Sequence, residues 1–187
     1  MIEIVQPILV KPKIEKAIYL LWLFFAGSFM GFIWEVLVYW VQHTDSLITI
    51  IFELRGFLHG TWVPIYGVGC ILIYLINKPF QSNLFSAILR SACVCSIVEY
   101  LTSWILENMF GMKLWDYSNQ ILNVNGRISF MSIAFFGIAG ALIAKYFEPY
   151  LKKCFNSIPI YTRLFACIVL GLLFILDFVF SLLMAFQ

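Results

Sequence analysis

Glu35, Glu99 and Asp177 each stand inside a long apolar run, and Glu107 follows Glu99 by two helical turns. A carboxylate placed at mid-membrane costs roughly 2.5 to 3.5 kcal/mol on insertion scales, so such groups turn inward, where they pair, take up protons or meet a ligand. Two arginines are placed to answer them. Arg55 and Arg127 open or sit within the glycine-bearing segments 55–69 and 123–140, each of which leads into an apolar helix. Their planar guanidinium forks suit phosphate or carboxylate. Three chemistries follow. The arginines could hold an anionic or zwitterionic headgroup, a glutamate (Glu99 or Glu35) could carry protons or act as a general base, or the charges could form buried ion pairs that only fix the fold. Buried pairs are poor stabilisers relative to apolar packing, which favours a use beyond stability.

Helical spacing gathers these groups. Gly27, Gly31 and Glu35 are four apart and form one stripe, the glycines letting a neighbouring helix approach beneath the carboxylate. Cys95, Glu99, Ser103 and Glu107 form a second stripe, and Gly137, Gly140, Ala141 and Ala144 mark a third. The connectors add Trp62 and Tyr66 on one side, and Trp115, Asp116, Tyr117, Asn123 and Asn125 on the other. Trp and Tyr at that depth are also ordinary interfacial girdle residues. The density of polar and turn-forming groups from Trp115 to Arg127 nevertheless argues for a folded lid. The candidate ligand-binding set is therefore Glu35, Arg55, Trp62, Tyr66, Glu99, Ser103, Glu107, Trp115, Asp116, Tyr117, Asn123, Asn125 and Arg127. His43 and His59 have no partner at metal-ligand spacing, and the five cysteines lie in or beside apolar runs, where packing is their ordinary role. No metal, cofactor or nucleic-acid partner is expected.

The elements that must position these residues are membrane helices. With 63% of its 187 residues hydrophobic, 12% charged and a mean hydropathy of +0.94, the chain falls outside the soluble class. Crossing ~30 Å of hydrocarbon takes about 20 helical residues. Five runs are read as spans: 17–41, 62–77, 84–110, 128–147 and 162–186. The second is short and holds Pro64, Gly67 and Gly69, while Pro79 and Pro149 are expected to stop the helices before them. The fold class is thus all-α, a polytopic bundle of about five spans. Residues 1–16 form a cytoplasmic or interfacial segment and 17–187 a single transmembrane domain.

Most lysines and arginines fall at one end of these spans, leaving Arg55, Lys113 and Arg127 at the other, so the amino terminus is expected in the cytoplasm and the carboxy terminus outside. At ~1.5 Å per residue, Glu35 lies about 27 Å up its span, and Glu99 and Asp177 about 22 Å up theirs. All three share the outer half, where Arg55 and Arg127 are expected to meet them. The order helix with Glu, aromatic Gly/Arg connector, glycine-bearing helix occurs twice, consistent with two parallel hairpin repeats plus a fifth helix.

The strings Gly31-Phe-Ile-Trp-Glu35, 55–69 (RGFLHGTWVPIYGVG), 99–107 (EYLTSWILE), 115–118 (WDYS) and 123–129 (NVNGRIS) resemble the bacterial family called putative ABC-transporter type IV, or CmpB-like permeases. The resemblance implies the membrane part of a transporter in a bacterial plasma membrane. Residues 59–62 (HGTW) depart from the turn expected there. No G-x-x-x-x-G-K-[ST] string occurs, so ATP hydrolysis would need a separate ATPase, and so few spans would call for a homodimer or another membrane subunit. Three functions remain open: a permease component binding a small polar or amphiphilic solute in an outward-facing charged pocket, a membrane-embedded enzyme acting on a lipid or isoprenoid headgroup, and a non-catalytic scaffold or regulator. The first is preferred, because the resemblance leans that way and Ser103 and Ser118 have no histidine near them in sequence.

Overall fold

The computed structural model describes residues 11–42, 57–80 and 83–185. Among them five helices follow in order: α1 (Pro12–Gln42), α2 (Pro64–Asn77), α3 (Leu84–Phe110), α4 (Phe130–Ser157) and α5 (Ile160–Ala185), with a π turn inside α4 at Ile143–Phe147. All but α2 are long and apolar enough to cross a membrane, so this is a multi-pass membrane protein of all-helical fold. Arg55, His43 and the segment 1–10 lie outside the described residues.

α2 occupies the expected second span but has only 14 residues, about 21 Å of helix, which is short of the hydrocarbon thickness. Pro64 starts it, and no side chain caps it. Instead the Val63 N–H donates to the Ser28 carbonyl of α1 at 3.0 Å, so the broken end is satisfied by protein and not exposed to lipid. Asn83 caps α3 through the Ser86 N–H, and Gly111, in the left-handed region at φ 65°, ends it. Ser129 and Ser132 form a reciprocal capping box that starts α4.

Pro79 follows the end of α2 as a stop signal should, but Pro149 does not stop α4, which runs on to Ser157. A proline inside a helix lacks an N–H and crowds the carbonyl four residues earlier, here that of Lys145. The π turn widens the backbone ladder at that point, so the helix continues. Most of the stretch 148–161, expected to connect the fourth and fifth spans, is therefore helix, and only Ile158 and Pro159 separate α4 from α5.

Two hairpins, α1–α2 and α3–α4, make the most extensive contacts, α2 joins them by packing on α3, and α5 rests against α1. The small-residue stripes are the seams. A Cβ on Gly27 would lie 2.6 Å from Cys70 Sγ, and one on Gly140 would lie 2.6 Å from Ser91 Cβ. At one end of the bundle Ile18, Tyr19, Leu23, Tyr74, Phe155 and Cys167 form a buried cluster, with Tyr19 set edge-on to Phe155 and Tyr74 at 5.0 and 5.5 Å. Lys13, Lys16, Lys78, Lys145 and Lys152 ring that end, and the second connector and the described part of the first, 57–63, lie at the other. Large side chains along α5, among them Phe165, Leu172 and Leu176, remain exposed, as suits contact with lipid.

Candidate functional site

The second connector, 111–129, is a folded cap. Asn125 and Gly126, at φ 54° and 68°, form the centre of a two-residue turn closed by the Arg127 N–H on the Val124 carbonyl at 3.0 Å. Positive φ at both central positions is the geometry that Asn-Gly favours. Around this turn the Tyr117 N–H donates to the Gly126 carbonyl at 2.8 Å, and Trp115 Nε1 donates to the Arg127 carbonyl at 3.0 Å. The Asn123 amide donates to the carbonyls of Ser118 and Gln120, while its oxygen accepts from the Gly126 N–H. Asp116 accepts from the Ser118 N–H and hydroxyl and from Lys113 Nζ at 2.6 Å. Those hydrogen bonds, Lys113 first, hold the Asp116 carboxyl well below the usual carboxylate range.

The cap brings Tyr117 down onto α3, where its hydroxyl donates to Glu99 Oε1 at 2.9 Å. Burial, followed by the charge of Glu99, pushes the Tyr117 phenol above its usual range, so it stays protonated and acts as the donor. Glu99 and Ser103 are buried, and Glu99 Oε2 has no partner at hydrogen-bond geometry among the described residues, although the Ser132 hydroxyl stands beside the carboxyl. Glu35 and Tyr66 complete the group: both carboxylates lie within electrostatic range of Tyr66 and Tyr117. Gly31 lets the Tyr66 ring pack directly on α1, and Phe136 of α4 lies edge-on to it at 6.1 Å. No cation pairs with Glu35 or Glu99 among the described residues. This is an acceptor-rich aromatic site with two phenols and two carboxyl groups.

Arg127 does not meet Glu99, Glu35 or Asp177, contrary to the depth argument. Its Nη2 donates to Glu107 Oε2 at 2.5 Å, two turns beyond Glu99 on the same stripe of α3. Its guanidinium lies 5.6 Å from the centre of the Tyr100 ring, whose hydroxyl accepts from the Asn125 amide at 2.9 Å. Similar height along the bundle axis is not contact, and the backbone of the cap aims the arginine at the rim.

Asp177 is engaged without any arginine. Its carboxylate accepts from the His59 N–H at 3.0 Å, the Gly60 N–H at 2.8 Å and Trp62 Nε1 at 2.7 Å. It thereby ties the first connector to α5. His59, isolated in sequence, places Nδ1 2.8 Å from Ser181 Oγ and 3.8 Å from Asp177 Oδ1. A relay from Ser to His to Asp uses both ring nitrogens. Here one nitrogen faces both partners, so the trio is a tether.

The candidate residues thus divide into three groups. Glu35, Tyr66, Glu99, Ser103 and Tyr117 gather in or against the interior. Glu107, Trp115, Asp116, Asn123, Asn125 and Arg127 build the cap and its rim, while Trp62 belongs to the Asp177 tether. Asp177 is absent from the candidate set drawn from the sequence, and His59 is noted there only as lacking a partner at metal-ligand spacing. The backbone donors that hold Asp177 carry no side-chain signal.

The sequence profile of the family described as Putative ABC-transporter type IV matches residues 22–182. The chain belongs to that family. Comparison with curated proteins and with solved structures returns no match.

Proposed function

Taking membership of the ABC-transporter type IV family as premise, we propose that this chain is the membrane-embedded permease component of a transporter and that its Glu99–Tyr117 site binds a small polar solute carrying a positive charge. One observation carries the reading. Glu99 is buried with one oxygen held by Tyr117 and the other without a donor beyond the neighbouring Ser132 hydroxyl, and Arg127 of the cap pairs through Nη2 with Glu107. Such a carboxylate oxygen in a low-dielectric site calls for a further donor. An ammonium group supplies both donors and charge, and the Tyr66 and Tyr117 rings suit a cation. Among the described residues the site offers acceptors and rings and no free arginine, which suits a cation better than an anionic headgroup.

With the lysine-rich end in the cytoplasm of a bacterial cell, the cap and the site face outward. Energy would come from a separate ATPase, and a second copy or another membrane subunit would complete the pathway. Binding of methylammonium and ethylammonium to purified protein in nanodiscs, with acetate as the anionic control, tests the site. We expect saturable cation binding that Glu99→Gln abolishes while the melting temperature stays near that of the wild type. Arg127→Ala should retain binding, because Arg127 serves the rim. A Glu99→Gln protein that binds the cations unchanged would overturn the assignment. One that fails to fold would favour a purely structural role for the charge.

A further inference from the structure

A polar cavity, remote from the acidic site and independent of its assignment, opens at the lysine-rich end between α2, α3 and α4. It measures about 300 Å³ and is lined in part by Asn77, Lys78, Phe80, Lys145, Glu148 and Lys152. Three ammonium groups thus face one carboxylate. That carboxylate is already engaged, because Glu148 Oε1 accepts from the Tyr19 hydroxyl at 2.6 Å. Lys78 donates to the Tyr74 hydroxyl at 2.8 Å, and among the described residues none of the three lysines forms an ion pair.

The cavity is built and not a chance gathering of surface lysines. Its floor is the buried Asn77, whose amide donates to Ile73 O and Ser91 Oγ and whose oxygen accepts from Arg90 Nε and Nη2 at 3.2 and 3.1 Å. Arg90 in turn lies 4.8 Å from the centre of the Phe80 ring, fixing one wall. The π turn sets the other. One added residue in a helical turn rotates everything beyond it by about 100°. Lys145 lies in that turn, with Glu148 and Lys152 on the continuing helix, and all three line the same cavity. π turns recur at functional sites, and this one also admits Pro149. The exposed Phe80 and Leu84 at the rim give an apolar neighbour to whatever the lysines hold.

We propose that this cavity binds a phosphate oxyanion, borne by an anionic phospholipid headgroup or by a free phosphate compound, with Lys78, Lys145 and Lys152 as its ligands. Basic pockets between membrane helices at the cytoplasmic face suit such headgroups, and each lysine near the surface adds to the attraction.

Purified protein in a neutral detergent is titrated with dioleoylphosphatidylglycerol, with dioleoylphosphatidylcholine as the zwitterionic control, and separately with inorganic phosphate. Native mass spectrometry reads bound lipid and calorimetry reads bound phosphate. The double variant Lys145→Gln/Lys152→Gln should weaken the anionic probe by about thirtyfold. Lys78→Gln, on a different element, should weaken it by about fivefold and guards against a misfolded double variant. Lys11→Gln/Lys13→Gln removes equal charge at the same end outside the cavity and should leave binding within about twofold. Lysine-dependent binding of phosphatidylglycerol alone assigns a lipid headgroup, whereas the same dependence for inorganic phosphate assigns a free anion. The proposal is overturned if neither anionic probe binds more tightly than phosphatidylcholine, or if both double variants lose binding equally.

Discussion

The two connectors at the far end of the bundle do the same topological job by opposite means. The second, 111–129, closes on itself: its turn, its Asx-type bonds and its capping box are contributed almost wholly by its own residues, and it reaches the helices through Tyr117 and Arg127. The described part of the first, 57–63, is held by a carboxylate more than a hundred residues away, on α5. A segment that folds locally can aim a side chain such as Tyr117 into the bundle on its own terms. A segment hung on a distant helix moves with that helix. The 57–63 segment is therefore coupled to α5, while the Glu99–Tyr117 contact is positioned by the cap.

Substitutions should separate the two. The largest effect is expected from Asp177→Ala, which leaves two backbone N–H groups and the Trp62 indole without their acceptor and should cost about 3 to 5 kcal/mol. Thermal unfolding in detergent reads the loss, and hydrogen exchange should localise it to 57–63. Equal deprotection of 111–129 would break the comparison. Gly126→Ala comes next. It forces an L side chain into φ 68° and places a Cβ 2.5 Å from Ser118 Oγ, at a cost of about 2 kcal/mol. Exchange should rise in the cap and leave 57–63 unchanged.

Ser129→Ala removes the cap of α4 and should cost about 1 kcal/mol, seen as faster exchange in the first turn of that helix. The smallest effect belongs to Lys113→Gln, because solvent screens an exposed pair almost completely. Asp116 adds a pH signature of known sign. Its folded pKa is depressed, so the stability it contributes is present above the unfolded value of about 4 and is lost as pH falls through the folded one. Acid titration of cap exchange should show loosening only well below the ordinary carboxylate range. Lys113→Gln should shift that loosening to higher pH.

Several parts of this architecture were legible in the chain. Asn125-Gly126 announces a tight turn by backbone chemistry alone, and the glycine stripes announce close helix approach. Pro149 misled because a proline stops a helix only if the backbone cannot adjust, and the π turn adjusts it. Arg127 misled for a different reason. Counting residues along a helix gives height with fair accuracy, but the direction of a side chain around the bundle depends on how the connector folds.

Composition and periodicity by themselves determined that this is a helical membrane protein, where its long helices run, and that Glu35, Glu99 and Asp177 must be satisfied away from lipid. Those conclusions need only the transfer cost of side chains and the rise of a helix, both local properties. Only the tertiary structure decided which partner each acid received: connector backbone for Asp177, a phenol for Glu99 and an arginine for Glu107. Pairing requires two groups from distant segments to coincide in three dimensions within about 3 Å, and nothing in one segment's sequence encodes the azimuth of another.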